Sequence, residues 1–277
     1  KIYLKGTSMF VLRQLNNKIN PTVISMSVIC LMLFMTISVL SSSLSIQTTM
    51  DSELQEMTPV DVNLYKTANL PQSYEDSYTG QMIYPTEEQI EDSKQPVSYT
   101  LETNGYDMNN LKDIVEISVY TIPEWTLKYS LGTYYEQAKA QFSMLMYDLP
   151  EEIIKVSDYN KIAELYGQEQ YSLNEDEYIV LCDFDNMTEL RNQALKQNST
   201  VQIEGKTLHA KYNECKSGFI EMSASHVNTG IILVPDNFEL KEEWKEEEFL
   251  AANYNAKTDE EKEEIEKTLS ETNNNTF

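Results

Sequence analysis

The sequence of 277 residues is poor in several residue types, and each shortage excludes something. Three cysteines, one of them (Cys30) inside an apolar N-terminal stretch, exclude a disulfide framework. Eight glycines and eight prolines exclude collagen-like or linker-like composition. The only histidines are His209 and His226; with Cys215 between them their spacing matches no zinc pattern, so both read as strand or loop residues. There is no Gly-x-x-x-x-Gly-Lys-Ser/Thr loop, no Gly-x-Gly-x-x-Gly, no His-Glu-x-x-His and no Gly-x-Ser-x-Gly. This segment therefore carries no ATPase site, catalytic site, cofactor site or metal site that a motif identifies.

The first 50 residues also lack any Asp or Glu. They hold four basic residues, Lys1, Lys5, Arg13 and Lys18, which leaves 17 of the 21 basic residues and all 45 acidic ones, a net of −28, for residues 51–277. An outer face of that sign repels phosphate backbones and anionic headgroups, which excludes nucleic acid as a partner. From Pro21 to Met50 there is no charge, and Val23 to Leu40 is an apolar run about 27 Å long as a helix. Three readings are open: a retained transmembrane helix, a cleaved signal peptide starting at Met9, and a buried core helix. The length without charge favours the first, and the positive-inside rule then places residues 1–20 in the cytoplasm and 49–277 outside the cell membrane. Val11, Leu15 and Ile19 make residues 1–20 a basic amphipathic segment, with a corner at Asn20-Pro21 before a membrane helix over 21–48.

Beyond Met50 the patterning predicts an α+β domain, a mixed sheet with flanking helices, divisible into 51–150 and 151–235 with a helical return over 236–277. Alternation predicts strands at Val60–Leu64 and Val115–Val119, the second closed by Pro123, with Leu127–Ser130 starting its partner. Residues 70–110 read as loops with short pieces of structure. Glu152–Val156 predicts a strand, followed by a helix capped by Ser157 and ended by Gly167. Glu177–Cys182 predicts a strand, Asn186 with Glu189 a boxed helix start, Val201–Tyr212 a hairpin turning at Glu204-Gly205, and Ile231–Val234 a last strand. Asp236 with Glu239 predicts a helix carrying Leu240 and Trp244, and Thr258 with Glu261 another, solvated or rising toward a following membrane span.

Three groups of residues bear on chemistry. Asp183 and Asp185 end an apolar strand one residue apart, as in phosphatases with an Asp-x-Asp-x-Thr loop; here Met187 occupies the Thr position and Thr188 comes one place late, so a turn and helix cap is the better reading. Tyr134, Tyr135, Phe142, Met144, Leu145, Met146 and Tyr147 suit either a peptide groove or, preferably, a core. Cys182 and Cys215 can pair if the domain lies outside the cell, and the sequence leaves open whether they are close.

The stretch from Phe10 to Asn20, FVLRQLNNKIN, followed by Met26–Ile37, MSVICLMLFMTI, resembles the membrane entry of FtsX-like permeases of ABC transporters, especially the bacitracin-export and antimicrobial-peptide-resistance branch. Ile154–Leu165, IKVSDYNKIAEL, and Asp176–Val180, DEYIV, resemble the extracytoplasmic domain of the same family. The resemblance implies one membrane helix and the outer domain of a larger permease, with an ABC ATPase subunit, further helices of the same permease and a sensor kinase as partners, and a cationic peptide antibiotic or lipid as ligand. It assigns no substrate-binding residue. The alternative is a single-pass or secreted binding protein without an ATPase.

Overall fold

A computed structural model describes residues 7–75, 79–142 and 149–276. The chain divides into two compact units, Lys1–Leu54 and Gln55–Phe277.

The first unit is helical. Helix α1 runs Thr7–Met57 and continues through Pro21 instead of turning at the Asn20-Pro21 corner. Between Thr22 and Met57 there is neither glycine nor proline to interrupt it, and this stretch is long and apolar enough to cross a membrane. Its apolar side chains are exposed, Phe34 at 70% and Met32 at 65%. Hydroxyls within the run are satisfied by the helix itself, Thr36 Oγ1 donating to Leu33 O at 2.9 Å and Thr49 Oγ1 to Ser45 O at 3.0 Å. Hydrocarbon surroundings demand that arrangement.

The second unit is built on an eight-stranded mixed sheet in the order β1-β10-β4-β5-β9-β6-β8-β7. The strands are β1 Val62–Thr67, β4 Leu111–Thr126, β5 Pro150–Lys155, β6 Glu177–Leu181, β7 Thr200–Ile203, β8 Lys206–Ala210, β9 Ile231–Val234 and β10 Lys245–Tyr254; β2 Tyr74–Glu75 and β3 Met82–Ile83 form a separate small pair. β5 with β9 and β6 with β8 are parallel, and the remaining neighbours antiparallel. Successive residues split between two covered faces. Ile154, Ile179, Leu181, Ile231, Leu233, Phe249 and Ala251 pack with helix α6 (Val156–Tyr166) on one side. Ile153, Tyr178, Val180, Ile232 and Val234 pack on the other with Leu195 of α7 (Asp185–Gln197). Farther along that second face Leu250 and Ala252 meet α3 (Val97–Thr103) and α8 (Asp259–Thr276). Burial on both faces is why Ile-Ile-Leu-Val and Tyr-Ile-Val-Leu are continuous apolar runs. The hairpin turns where expected, with Glu204 (φ 51°) and Gly205 (φ 73°) both left-handed as a two-residue turn of this kind requires. Gly167 (φ 70°) ends α6, with Gln168 N donating back to Ala163 O at 2.8 Å.

Several expectations are corrected. Pro123 does not close β4: the strand continues to Thr126 across a bulge in its pairing with β5, between Thr121 and Thr126, where no ladder amide is needed from proline. Leu127–Leu131 is helix α4, not a strand. Residues 70–110 are, as expected, loops with short pieces of structure, among them the helices α2 (Glu87–Ser93), which opens on a reciprocal Thr86–Gln89 capping box, and α3. Ser157 does not cap α6; its amide donates to the carboxylate of Asp236 at 3.2 Å. Asp236 therefore starts no helix. Leu240 and Trp244 pack on the same cluster through a loop and a 3-10 turn, Glu242–Trp244, and the chain continues as β10 between β1 and β4. Spacing of i, i+4 in only two residues does not distinguish a helix from a folded-back loop. Finally, α8 is not solvated all round. Ile265 and Leu269 are buried, and Lys262 Nζ reaches Asp61 Oδ1 at 2.8 Å.

Half-buried Glu247 of β10 is pushed up to about 8 by desolvation and by the charges of Glu221, Glu152 and Glu246. A carboxyl that holds its proton more tightly folded than unfolded stabilises the fold below its unfolded pKa and loses that contribution as pH rises through the folded value. The thermal midpoint of the protein is accordingly expected to fall between about pH 5 and about pH 8, with the window's upper end set by Glu247. Glu247→Gln should flatten that slope, as followed by circular dichroism; an unchanged slope counts against the assignment.

Candidate functional site

The C-terminal end of β6 gathers most of the residues that the sequence singles out. β6 pairs with β9 as far as Leu181–Ile231, and beyond it the chain must leave the sheet to enter α7. The loop of residues 226–230 catches it there: Asn228 O accepts from the amides of Asp183 (3.2 Å) and Phe184 (3.1 Å). Asp183 Oδ1 accepts from Asn228 N at 2.8 Å, and His226 Nδ1 lies 3.2 Å from Asp183 Oδ2. Burial pushes the Asp183 carboxyl up, against the lowering effect of His226 and the Asn228 amide. Asp185 is exposed in the first turn of α7, where a carboxylate suits the helix dipole. One carboxylate is committed to a loop and the other faces solvent. The cap differs from expectation: Phe184 is the N-cap, with no side-chain bond, so the Asn186–Glu189 box does not form. Among the described residues no group of three His, Cys, Asp or Glu side chains is placed to hold a metal.

Behind this turn lies a buried ion pair that charge counting on the sequence does not reveal. Arg191 of α7, 3% exposed, forms two parallel bonds to Glu151 of β5, Nη1–Oε1 at 2.9 Å and Nη2–Oε2 at 2.8 Å, while Nε donates to Thr229 O at 2.5 Å. Burial opposes the guanidinium charge, but the charge and hydrogen bonds of Glu151 hold its pKa above the usual value. A side chain on Gly230 would overlap that guanidinium, which explains a glycine there.

Two thiols sit beside the pair. The segment at Cys215–Lys216 runs parallel to the end of β6: Lys216 N donates to Val180 O and Cys182 N to Lys216 O, each at 2.9 Å. Cys182 is 3% exposed; Cys215 is half-buried, packs against the same cluster and has its amide held by Asn192 Oδ1 at 2.6 Å. Thr188 Oγ1 donates to Cys182 Sγ at 3.2 Å, and Sγ lies 3.3 Å from Asn228 O. The neighbouring Cys215 thiol lowers Cys182 to about 7 against the opposing effect of burial, with Arg191 and Thr188 adding to it. The Cys182 thiol, with burial, drives Cys215 well up.

Of the remaining candidates, Tyr134, Tyr135 and Phe142 pack in the same cluster as the thiols, and His209 lies apart. His209 on β8 faces its cross-strand partner, Nδ1 being 3.0 Å from Thr200 Oγ1. Tyr135 is buried, and Phe142 tilts against Phe184 with ring centroids 5.5 Å apart, so these aromatics line a core and not a groove. Met144, Leu145, Met146 and Tyr147 lie outside the described residues. A groove that the sequence did not signal lies along β1, with a volume of about 570 Å³ and Tyr65, Lys66, Tyr74, Asp92 and Thr103 among its lining residues. At its floor Lys66 Nζ donates to Asp92 O (2.6 Å), to Asp92 Oδ2 (3.3 Å) and to the hydroxyl of Thr100. Burial lowers the Lys66 pKa and the Asp92 charge partly restores it. Its size falls within the range of small-ligand sites. The cavity beside Arg191, about 110 Å³, holds only a few waters.

Removing one partner of a buried ion pair strands the other. Arg191→Ala is expected to destabilise the protein by about 3–5 kcal/mol in denaturant unfolding, and Gly230→Ala to act in the same direction by displacing the guanidinium. Neutralising the exposed Lys196–Glu214 pair should leave the midpoint in place. The ultraviolet thiolate absorbance that disappears in Cys182→Ser should titrate near pH 7 in the unsubstituted chain; titration at the ordinary cysteine value would contradict the influence of Cys215, Arg191 and Thr188 on this thiol.

No family model, no curated protein and no solved structure matches this chain.

Proposed function

We propose that this chain is the first membrane span and the outer domain of an FtsX-like permease subunit of an ABC transporter. The observation that carries the reading is the end of α1. A stretch apolar enough to span a bilayer finishes at Met57, which is 1% exposed and packs with Ile154, Phe249 and Leu233 in the core of the second unit. A sheet domain that follows a membrane span directly in sequence suits a part that passes on the motion of membrane helices and performs no chemistry of its own. The excess of basic residues before the span supports an orientation with 1–20 in the cytoplasm and the acidic domain outside. Both middle runs that carry the family resemblance, Ile154–Leu165 and Asp176–Val180, contribute side chains to that same core.

In this reading nucleotide hydrolysis belongs to a separate ABC ATPase, and the ligand is an extracellular peptide antibiotic or lipid. The acidic surface gives long-range attraction for a cationic peptide. A second reading, a single-pass or secreted binding protein without an ATPase, draws its support from the groove beside β1.

The full-length polypeptide purified in mild detergent separates the two. The permease reading expects further membrane spans and co-purification with an ABC ATPase whose vanadate-sensitive activity depends on the permease. A polypeptide with this single span and no ATPase overturns it.

A further inference from the structure

We propose that Cys182 and Cys215 are a redox pair that a small peroxide closes into a disulfide, fastening the end of β6 to the segment that follows β8. The backbone places them together. The parallel bridge of Leu181 with Lys216 puts Cys182 and Cys215 on the same face of the sheet, diagonal to each other, and both pack in the cluster formed with Met187, Leu190 and Ala194 of α7. Cys215 also packs against the strand residues on that face of the sheet. The Cys182 side is a regular strand end. The Cys215 side, residues 211–218, has no regular structure beyond the bridge at Lys216 and can be drawn across by the short distance that bond formation needs.

The surroundings divide the roles. Cys182 receives a hydrogen bond from Thr188 and lies in the field of Arg191, both of which favour its thiolate. At 3% exposure it is closed to bulky disulfides but not to hydrogen peroxide. The thiolate attacks one peroxide oxygen, the O–O bond breaks and hydroxide leaves, giving Cys182 sulfenic acid. Cys215 sulfur then attacks Cys182 sulfur; the S–O bond breaks, and the departing hydroxide takes the Cys215 proton. Two thiols and one peroxide become one disulfide and two waters. The chemistry is independent of the transport reading.

The test uses the full chain in detergent with Cys30→Ser, so that only the pair remains. After brief exposure to hydrogen peroxide, thiol blocking and non-reducing digestion, mass spectrometry should find a Cys182–Cys215 peptide lighter by two hydrogens and cleaved by reductant. The thermal midpoint should rise by about 10 °C, because the bond closes a loop of roughly thirty residues around α7 and the hairpin. With Cys215→Ser added, dimedone should trap sulfenic acid at Cys182; with Cys182→Ser, peroxide should leave Cys215 reduced. Two fully alkylatable thiols after peroxide treatment, or bridges between chains only, overturn the proposal. That readout is made on unsubstituted Cys182 and Cys215, so it stands even if a serine variant misfolds.

Discussion

One guanidinium holds together parts of the second unit that the sheet alone does not. Arg191 comes from a helix, Glu151 from a central strand and Thr229 from the loop before β9, and their bonds meet at a buried point. An ion pair in that position is no stronger than a well-packed apolar contact of the same volume. What it adds is selectivity among packings: α7 has one seat on the sheet in which its arginine is not stranded. The loop at 226–230, and through Asn228 the turn at Asp183, takes its position from the same arrangement. The thiol pair and the Asp183–His226 contact lie in the frame that Arg191 sets.

The sheet domain was legible in sequence wherever one physical signal dominated. Ile231–Val234 and Tyr178–Leu181 are too apolar and too short to be anything but covered strands, and Glu204-Gly205 supplies the two left-handed residues of a tight turn. The signal failed where two constraints competed. β10 begins Lys-Glu-Glu-Glu, a helix-like opening, and becomes central only because Phe249–Ala252 fits between β1 and β4, a fact about partners well over a hundred residues away. Pro123 reads as a terminator unless the bulge that tolerates it is known.

The candidate site was less legible. Cys182, Asp183 and His226 stood out by residue type, but their partners did not. Arg191 and Glu151 look like surface charges among many, and burial is a property of the assembled fold. Lys66, Asp92 and Thr100 belong to stretches whose patterning says only strand or loop. The proximity of Cys182 to Cys215 follows from a single bridge at the edge of the sheet, which no spacing rule encodes.

The order of strands in the sheet differs from their order in the chain. β9 lies between β5 and β6, and β10 lies between β1 and β4, so two late strands complete pairs whose outer members come much earlier. Until residues 231–254 are present, β1 has no ladder partner, and β5 and β6 each lack β9, the strand that joins them. Contacts of such long sequence separation close slowly, because a large loop must be ordered first. A polypeptide that emerges N-terminus first therefore exposes open strand edges until nearly the whole domain has been made. Its productive folding is a late, concerted event, dependent on protection of those edges in the interval.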